Sequence, residues 1–377
     1  MTPPLIALDI GSTKVACAIG LPHERGPGYE LLGAAVVSYP SLSESWLGDP
    51  LLVSRTIEQA LEATAVTGDF SRALVTINPP ATMSERVRAS ITLADEPMTV
   101  KTHDLERLQR SALTQALGVD RESLLVERLS CSGNGFEGVR DPRGLAATRL
   151  LGTYHVVTMP MSARRAVTQA VESAGLEVAA LSHPLPVLLA SVGDEALYHQ
   201  RVVILDASGL TTDVGCFVDG MLSHVEIAPV GGVRLAMAIA KQFHVTVEQA
   251  IAWSLEGVSC RKPEVRKLIQ TQWAEVKTAL DRVLADDLRP DRILVAGRGG
   301  LIDGFVEWVE RETGIPATLL RSERSPKAAD LTRQVGITAA IGLLEASTRG
   351  KAAPAARPAH LLNRLIGHTR TILTEYF

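Results

Sequence analysis

The sequence predicts a layered α/β protein made of two related halves, and three observations carry that expectation. The first is an internal echo: LIALDIGSTKVACAIG at 5–20 and VVILDASGLTTDVGCF at 202–217 share one design. Each reads as an apolar strand ending on an aspartate, a turn of small residues and a second apolar strand. The second is the alternation of strand-like and helix-like stretches around both copies, as α/β layering requires. The third is RILVAGRGG at 292–300 followed by LIDGFVEWVERETG, a strand, a glycine turn and a helix. Phosphate and nucleoside sites often use that order.

Taken in order, residues 1–78 form the first part of one half, opened by the hairpin at 5–20. Residues 79–153 differ in texture: the Pro79–Pro80 break, a charged helix candidate THDLERLQRSALTQALG and the glycine-rich CSGNGFEGVRDPRG mark an inserted subdomain. The first half resumes over 154–199. There YHVVTMP is a strand, Ser162 is placed to cap the helix ARRAVTQAVESAG, and Gly175 suits its C-terminal stop. The second hairpin opens 200–240, a small subdomain with a long charged helix fills 241–284, and 285–346 holds the glycine turn and the return to the first half. STRGKAAPAARPA at 347–359 has no apolar period and reads as a flexible linker.

The last segment, 360–377, is amphipathic. Leu361, Leu362, Leu365, Ile366, Ile372, Leu373, Tyr376 and Phe377 share one side of a helical wheel, flanked by Arg364 and Arg370. Such a helix either lies on an anionic membrane surface or docks on the protein's own core. The linker before it favours a tethered foot.

Bulk properties narrow the function. A chain of 377 residues, 46% hydrophobic and 21% charged, has room for two cored domains. A formal net charge of −4 argues against nucleic acid as a partner. Four scattered cysteines form no C-x-x-C pair, which fits neither a zinc site nor a disulfide framework. No apolar run approaches the roughly 18 residues of a membrane span.

Asp9 and Asp206 sit where the first strand of each hairpin stops, and Gly11 and Gly209 follow them. A lone aspartate at a strand end is an ordinary turn-former. Two in echoing hairpins are less easily dismissed, and the glycines after them let the chain turn and let backbone N–H groups approach an anion.

On these residues the sequence resembles the FtsA family of actin-like bacterial division proteins. The likeness runs through LDIGSTKVACAIG (8–20), DPRGLAATRLLGTYHVVT (141–158), VESAGLEV (171–178), LDASGLTTDVGCF (205–217) and PVGG (229–232), and ends in the terminal helix. The hairpins alone are shared with sugar kinases, heat-shock chaperones and MreB. The inserted subdomain together with the foot is more specific. The resemblance implies an actin-like two-domain α/β fold around a nucleotide cleft, with an FtsA-type inserted subdomain. It implies ATP held with Mg²⁺, the ion bound through water by Asp9 and Asp206. Ser12, Thr13, Lys14, Ser208, Thr211 and Thr212 would serve the phosphates, and Gly231, Gly232, Gly297, Arg298 and Gly299 the rest of the nucleotide. It further implies self-association into filaments, other division proteins as partners, and attachment to anionic lipid on the cytoplasmic face of the membrane at the division site. The C-terminal peptide of FtsZ would dock on 241–284, where Arg266, Lys267, Lys277 and Arg282 are either its acidic-peptide contacts or a solvated helix face.

Departures from the family pattern shape the expected chemistry. Asp206-Ala207-Ser208-Gly209-Leu210-Thr211-Thr212-Asp213 lacks two glycines of the family's D-I-G-G-G-T-T-D. Arg298 stands in the glycine turn, and could stack on adenine, pair with a phosphate or occupy the cleft itself. His183 falls where relatives carry the residue that orients the attacking water; it is either that catalytic group or a cleft-wall histidine with a structural hydrogen bond. Phosphoryl transfer depends on positioning, so weak ATP binding with slow or absent hydrolysis is expected. Two rivals remain: a pilus-assembly scaffold resembling PilM, and a small-molecule kinase of the same superfamily. Neither gives a reason for the terminal foot.

Overall fold

The computed structural model describes residues 3–79, 81–285, 289–326 and 329–349. In chain order the elements are β1 (Leu5–Ile10), β2 (Lys14–Pro22), β3 (Tyr29–Ser38), α1 (Pro50–Ala63), β4 (Arg72–Ile77), β5 (Met83–Thr92), β6 (Met98–Thr99), α2 (Thr102–Ala116), β7 (Arg121–Gly133), β8 (Phe136–Val139), β9 (Ala146–Ala147), β10 (Arg149–Pro160) and α3 (Met161–Ser173). They continue with β11 (Glu177–Ser182), α4 (Pro184–Ser191), β12 (Arg201–Ala207), β13 (Thr212–Val218), β14 (Met221–Ala228), α5 (Gly232–Phe243), α6 (Val247–Leu255), α7 (Pro263–Val283), β15 (Arg292–Ala296), α8 (Phe305–Thr313), β16 (Ala317–Leu319) and α9 (Leu331–Arg349).

The echo in the sequence becomes a pair of matching sheets. One runs β11-β4-β1-β2-β3 and the other β16-β15-β12-β13-β14. In each, an antiparallel hairpin (β1–β2, β12–β13) has a parallel strand on its open side, β4 or β15. Alternation along β12 divides the cores: Val202 and Ile204 join the core shared with the first sheet, α4 and α9, whereas Val203 and Leu205 join the core under α5, α7 and α8. α4 and α9 cross closely enough that a Cβ on Gly342 would overlap the Val187 carbonyl.

The inserted unit is a four-stranded antiparallel sheet, β5-β10-β7-β8, with α2 on one face and a core of its own. Its central strand β10 runs from Arg149 to Pro160, so the stretch expected to reopen the first half at 154 belongs to this sheet. Tyr154 and Val156 face the inserted core while Val157 and Met159 face the main one, which fuses the two units. The glycine-rich 131–144 is largely a hairpin of β7 and β8, not an open loop.

Two local expectations change. α3 begins at Met161 after Pro160 with no side-chain cap, and Met161 N donates to Asp120 O at 2.8 Å, so Ser162 caps nothing. α9 continues to Arg349, into the stretch expected to open the linker. Gly175 does follow the helix stop, at φ 79°.

The inserted unit also reaches the second sheet. Ser84 Oγ donates to Val225 O at 3.0 Å and Arg86 Nη2 to Ser223 O at 3.2 Å, so side chains satisfy the outer edge of β14.

Candidate functional site

The equivalent ends of the two hairpins face each other across a cavity of about 70 Å³. Asp9, Gly11, Ser12, Thr13 and Lys14 line it from the first half, and Asp206, Ser208, Thr211, Gly297 and Arg298 from the second. Ten of the expected residues therefore converge. Gly209, Thr212, Gly231, Gly232, Gly299 and His183 are not on its wall.

Those six fall into different roles. Gly209 is a contact point between the halves: a Cβ there would overlap Ser12 Oγ and lie 2.9 Å from Thr13 Cγ2. Gly231 packs on the same turn, where a Cβ would come 2.6 Å from the Gly209 carbonyl. Gly299 packs on Ala207, and Gly232 opens α5 with Gly232 N donating to Ser208 O at 3.0 Å. Thr212 is buried and donates to Val230 O at 3.0 Å, so its hydroxyl is committed to the backbone.

The missing glycines of the second turn have a simple explanation. Among the described non-glycine residues, positive φ occurs at Ala65, Ala81, Asp219 and His244, and not at Ser208 or Leu210. The turn requires no left-handed residue at either position. Leu210 is 4% exposed and packs into the main core, forming cavity wall beside Leu188. Ser208 Oγ donates to Asp206 Oδ1 at 3.1 Å. Gly297, at φ 77°, is the position where left-handed backbone matters.

Charge in the cavity is unevenly met. Lys14 Nζ pairs with Asp9 Oδ2. Asp206 is buried, and its pKa is pushed up to about 7, first by burial and then by the carboxylates of Asp213 and Asp9. The Ser208 hydroxyl and Lys14 pull the other way. Asp206 is therefore a full carboxylate at neutral pH only when more positive charge stands beside it.

Behind the wall lies a polar relay that sequence reading left incomplete. His183 is fully buried; its Nε2 lies 3.1 Å from Asp213 Oδ2, and its Nδ1 accepts from Leu185 N at 3.4 Å, capping α4. With Nδ1 accepting, Nε2 carries the proton toward Asp213. Asn78 Nδ2 also donates to Asp213 Oδ2 at 2.8 Å and to Thr211 Oγ1 at 3.2 Å. Asn78 lines the cavity directly. A signal for it existed: it follows β4 as Gly297 follows β15, the parallel neighbour in each half.

Arg298 does reach across. Its Nη1 and Nη2 both lie 3.3 Å from Ser38 Oγ at the end of β3. In the small subdomain, Arg266 donates to Cys260 O, Lys277 pairs with Asp281 at 2.8 Å and Arg282 with Glu226 at 3.4 Å. Leu361, Leu362, Arg364, Leu365, Ile366, Arg370, Ile372, Leu373, Tyr376 and Phe377 lie outside the described residues.

The donor set fits the phosphate end of a magnesium–nucleotide complex: hydroxyls of Ser12, Thr13 and Thr211, the Lys14 ammonium, and two carboxyls from opposite halves. Among the described residues no three His, Cys, Asp or Glu side chains form a metal cage. No described helix is long and apolar enough to cross a membrane.

Known proteins supply the remaining context. A model of the SHS2 domain inserted in FtsA matches residues 81–158, the unit built around β5, β7 and β10. The cell division protein FtsA of Pseudomonas aeruginosa is 25% identical over 370 residues, covering 90% of this chain and 88% of that protein. FtsA of Streptococcus pneumoniae is 21% identical over 83% of this chain and 74% of its own. Among solved structures, the PilM–PilN type IV pilus biogenesis complex superposes with a TM-score of 0.70 at 16% identity, covering 91% of this chain and 98% of the other. The ethanolamine utilization protein EutJ of Carboxydothermus hydrogenoformans gives 0.51 at 14% identity, covering 91% and 89%. The fold is actin-like, and the resemblance to FtsA read from the motifs is borne out.

Proposed function

We propose, from the premise that this chain is an actin-like relative of FtsA, that it is a cell-division adaptor tethering FtsZ filaments to the cytoplasmic membrane. The supporting observation is the SHS2 unit at 81–158, inserted between β4 and α3 of an actin-like body whose likeness to FtsA spans 90% of the chain. In this reading 360–377 is the amphipathic foot on anionic lipid, 241–284 receives the FtsZ C-terminal peptide, and copies of the body assemble into filaments.

The cleft is assigned to ATP with Mg²⁺, bound weakly. Magnesium, when bound, offsets phosphate charge. Asp9 and Asp206 would hold the ion, while Ser12, Thr13, Lys14 and Thr211 would orient the phosphates. Asn78 keeps the Thr211 hydroxyl aimed at the cavity, and His183 acts through Asp213 as a positioning residue. No described histidine or third carboxyl lines the cavity to orient an attacking water, so turnover is slow or absent.

The test is co-sedimentation of the full chain with vesicles containing anionic lipid, with and without an FtsZ C-terminal peptide. Burying each large apolar side chain contributes about 1.5–3 kcal/mol. Phe377→Glu or Ile372→Glu is therefore expected to move the protein to the supernatant while peptide binding persists. Undiminished sedimentation of either variant rejects the foot, and no peptide binding rejects the adaptor role.

A further inference from the structure

The cleft in this conformation is shut by the chain's own groups. From the second half, Arg298 spans to Ser38 of the first, both terminal nitrogens sharing one hydroxyl oxygen at 3.3 Å. Its Nε is buried and has no hydrogen-bond acceptor among the described residues. Across the cavity, Gly209 rests directly on Ser12 and Thr13, so the two hairpins touch where phosphates would pass between them. The remaining cavity, about 70 Å³, is well below the ~300–1,000 Å³ of small-molecule pockets.

Arg298 is an uncomfortable tenant. A permanent structural arginine normally meets a carboxylate or several carbonyls in a fork of bonds. Among the described residues this one has a single neutral hydroxyl for two nitrogens and no acceptor for the third. A half-buried charged group so poorly met is readily withdrawn, because water or an anion satisfies it better. The carboxylates of Asp9 and Asp330 favour its charge from a distance, and Asp9 is already paired with Lys14. On α9, a Cβ at Gly336 would lie 3.8 Å from Nε, so this helix packs beside the guanidinium without offering it an acceptor.

We propose that Arg298 is a built-in bolt, whose hold on Ser38 closes the cleft without nucleotide and must be released before a magnesium nucleoside di- or triphosphate can enter. Closure by the bolt and occupancy by nucleotide are then mutually exclusive. The apparent affinity is reduced by the fraction of molecules in which the bolt is drawn. This rests on the reading of the cleft as a nucleotide site, but the closing role of Arg298 can be read without any nucleotide.

The experiment compares the full-length protein with Arg298→Ala and with Ser38→Ala, which removes only the acceptor. Amide hydrogen exchange without nucleotide follows Tyr39, whose N–H donates to Thr13 O at 3.0 Å, and Val233, whose N–H donates to Gly209 O at 2.8 Å. Both variants are expected to exchange faster at these sites with exchange in α2 unchanged. Titration with Mg·ATP and Mg·ADP is expected to give about tenfold tighter binding in Arg298→Ala, the equivalent of one ~1.4 kcal/mol interaction, and a smaller gain in Ser38→Ala. Unchanged exchange in both variants overturns the bolt. Weaker binding in Arg298→Ala overturns it too, and makes the guanidinium a phosphate ligand. Faster exchange with no saturable binding by any form leaves the bolt standing as a closure and overturns both the competition and the nucleotide reading.

Discussion

Replacing Asp206 by asparagine should stabilise this protein, and by an amount that grows with pH. Asp206 is 6% exposed, and its pKa is raised from 3.8 to about 7 by burial and by Asp213 and Asp9. Between those values the folded state binds a proton that the unfolded state has released, so stability falls as pH rises from about 4 to 7. Three units at 1.36 kcal/mol each give a loss of about 4 kcal/mol by pH 7.5, and about 2 kcal/mol by pH 5. Asparagine keeps the shape, and its Oδ1 still accepts from Ser208 Oγ, but it never ionises. Urea unfolding of Asp206→Asn against wild type, without nucleotide or magnesium, should show the variant ahead by about 2 kcal/mol at pH 5 and about 4 kcal/mol at pH 7.5. An advantage that does not grow with pH, or a wild type more stable at pH 7.5, refutes the reasoning.

A buried histidine should act in the opposite sense. His155 on β10 is 2% exposed, its pKa lowered from 6.5 to about 3 by burial and then by His224, Arg86 and His183. The unfolded chain takes a proton that the folded one refuses, so this stability is present above pH 6.5 and about 2 kcal/mol of it is gone at pH 5. The two groups therefore act in opposite senses between pH 5 and 7.5, and His155→Gln should give a curve that rises more steeply toward acid than that of wild type. A His155→Gln curve parallel to wild type would sink this. Gly342→Ala, which drives a Cβ into the Val187 carbonyl between α9 and α4, is expected to cost about 3 kcal/mol in the same assay; a loss below 1 kcal/mol means the helices separate freely.

What was legible in the sequence was what is local. The two hairpins, their terminal aspartates and the break at 79 follow from strand periodicity and turn chemistry, which act over a few residues. Ten of the expected cleft residues meet because they lie on those hairpins and on the turn after β15. What escaped depends on approach between segments far apart in the chain. Asn78 matters because β4 pairs in parallel with β1 and ends beside Asp9. Thr212 looked like a phosphate donor until the neighbouring Val230 carbonyl claimed its hydroxyl. Ser162 has the right type for a cap, but the chain enters α3 directly from Pro160 at the end of β10. Gly209 was expected to serve the turn, whereas its lack of a side chain matters because Ser12 and Thr13 press against it.

The cost carried by Asp206 bears on whether the second hairpin is a working phosphate loop or a remnant. A carboxyl that burial, Asp213 and Asp9 hold against ionisation gains from a cation beside it, whereas asparagine would fit the same hydrogen bond without that gain. Ser208 and Leu210 need no left-handed backbone, and Leu210 packs into the core. At Gly209, Gly231 and Gly297 a Cβ would collide with backbone or with the opposing hairpin, whereas Gly11 and Gly232 have room for one. A cation held beside Asp206 offsets the effect of burial and of Asp213 and Asp9, so Mg²⁺ with nucleotide is expected to raise wild-type stability at pH 7.5 while leaving Asp206→Asn nearly unmoved. Equal stabilisation of both proteins would mean that Asp206 takes no part in holding the ion.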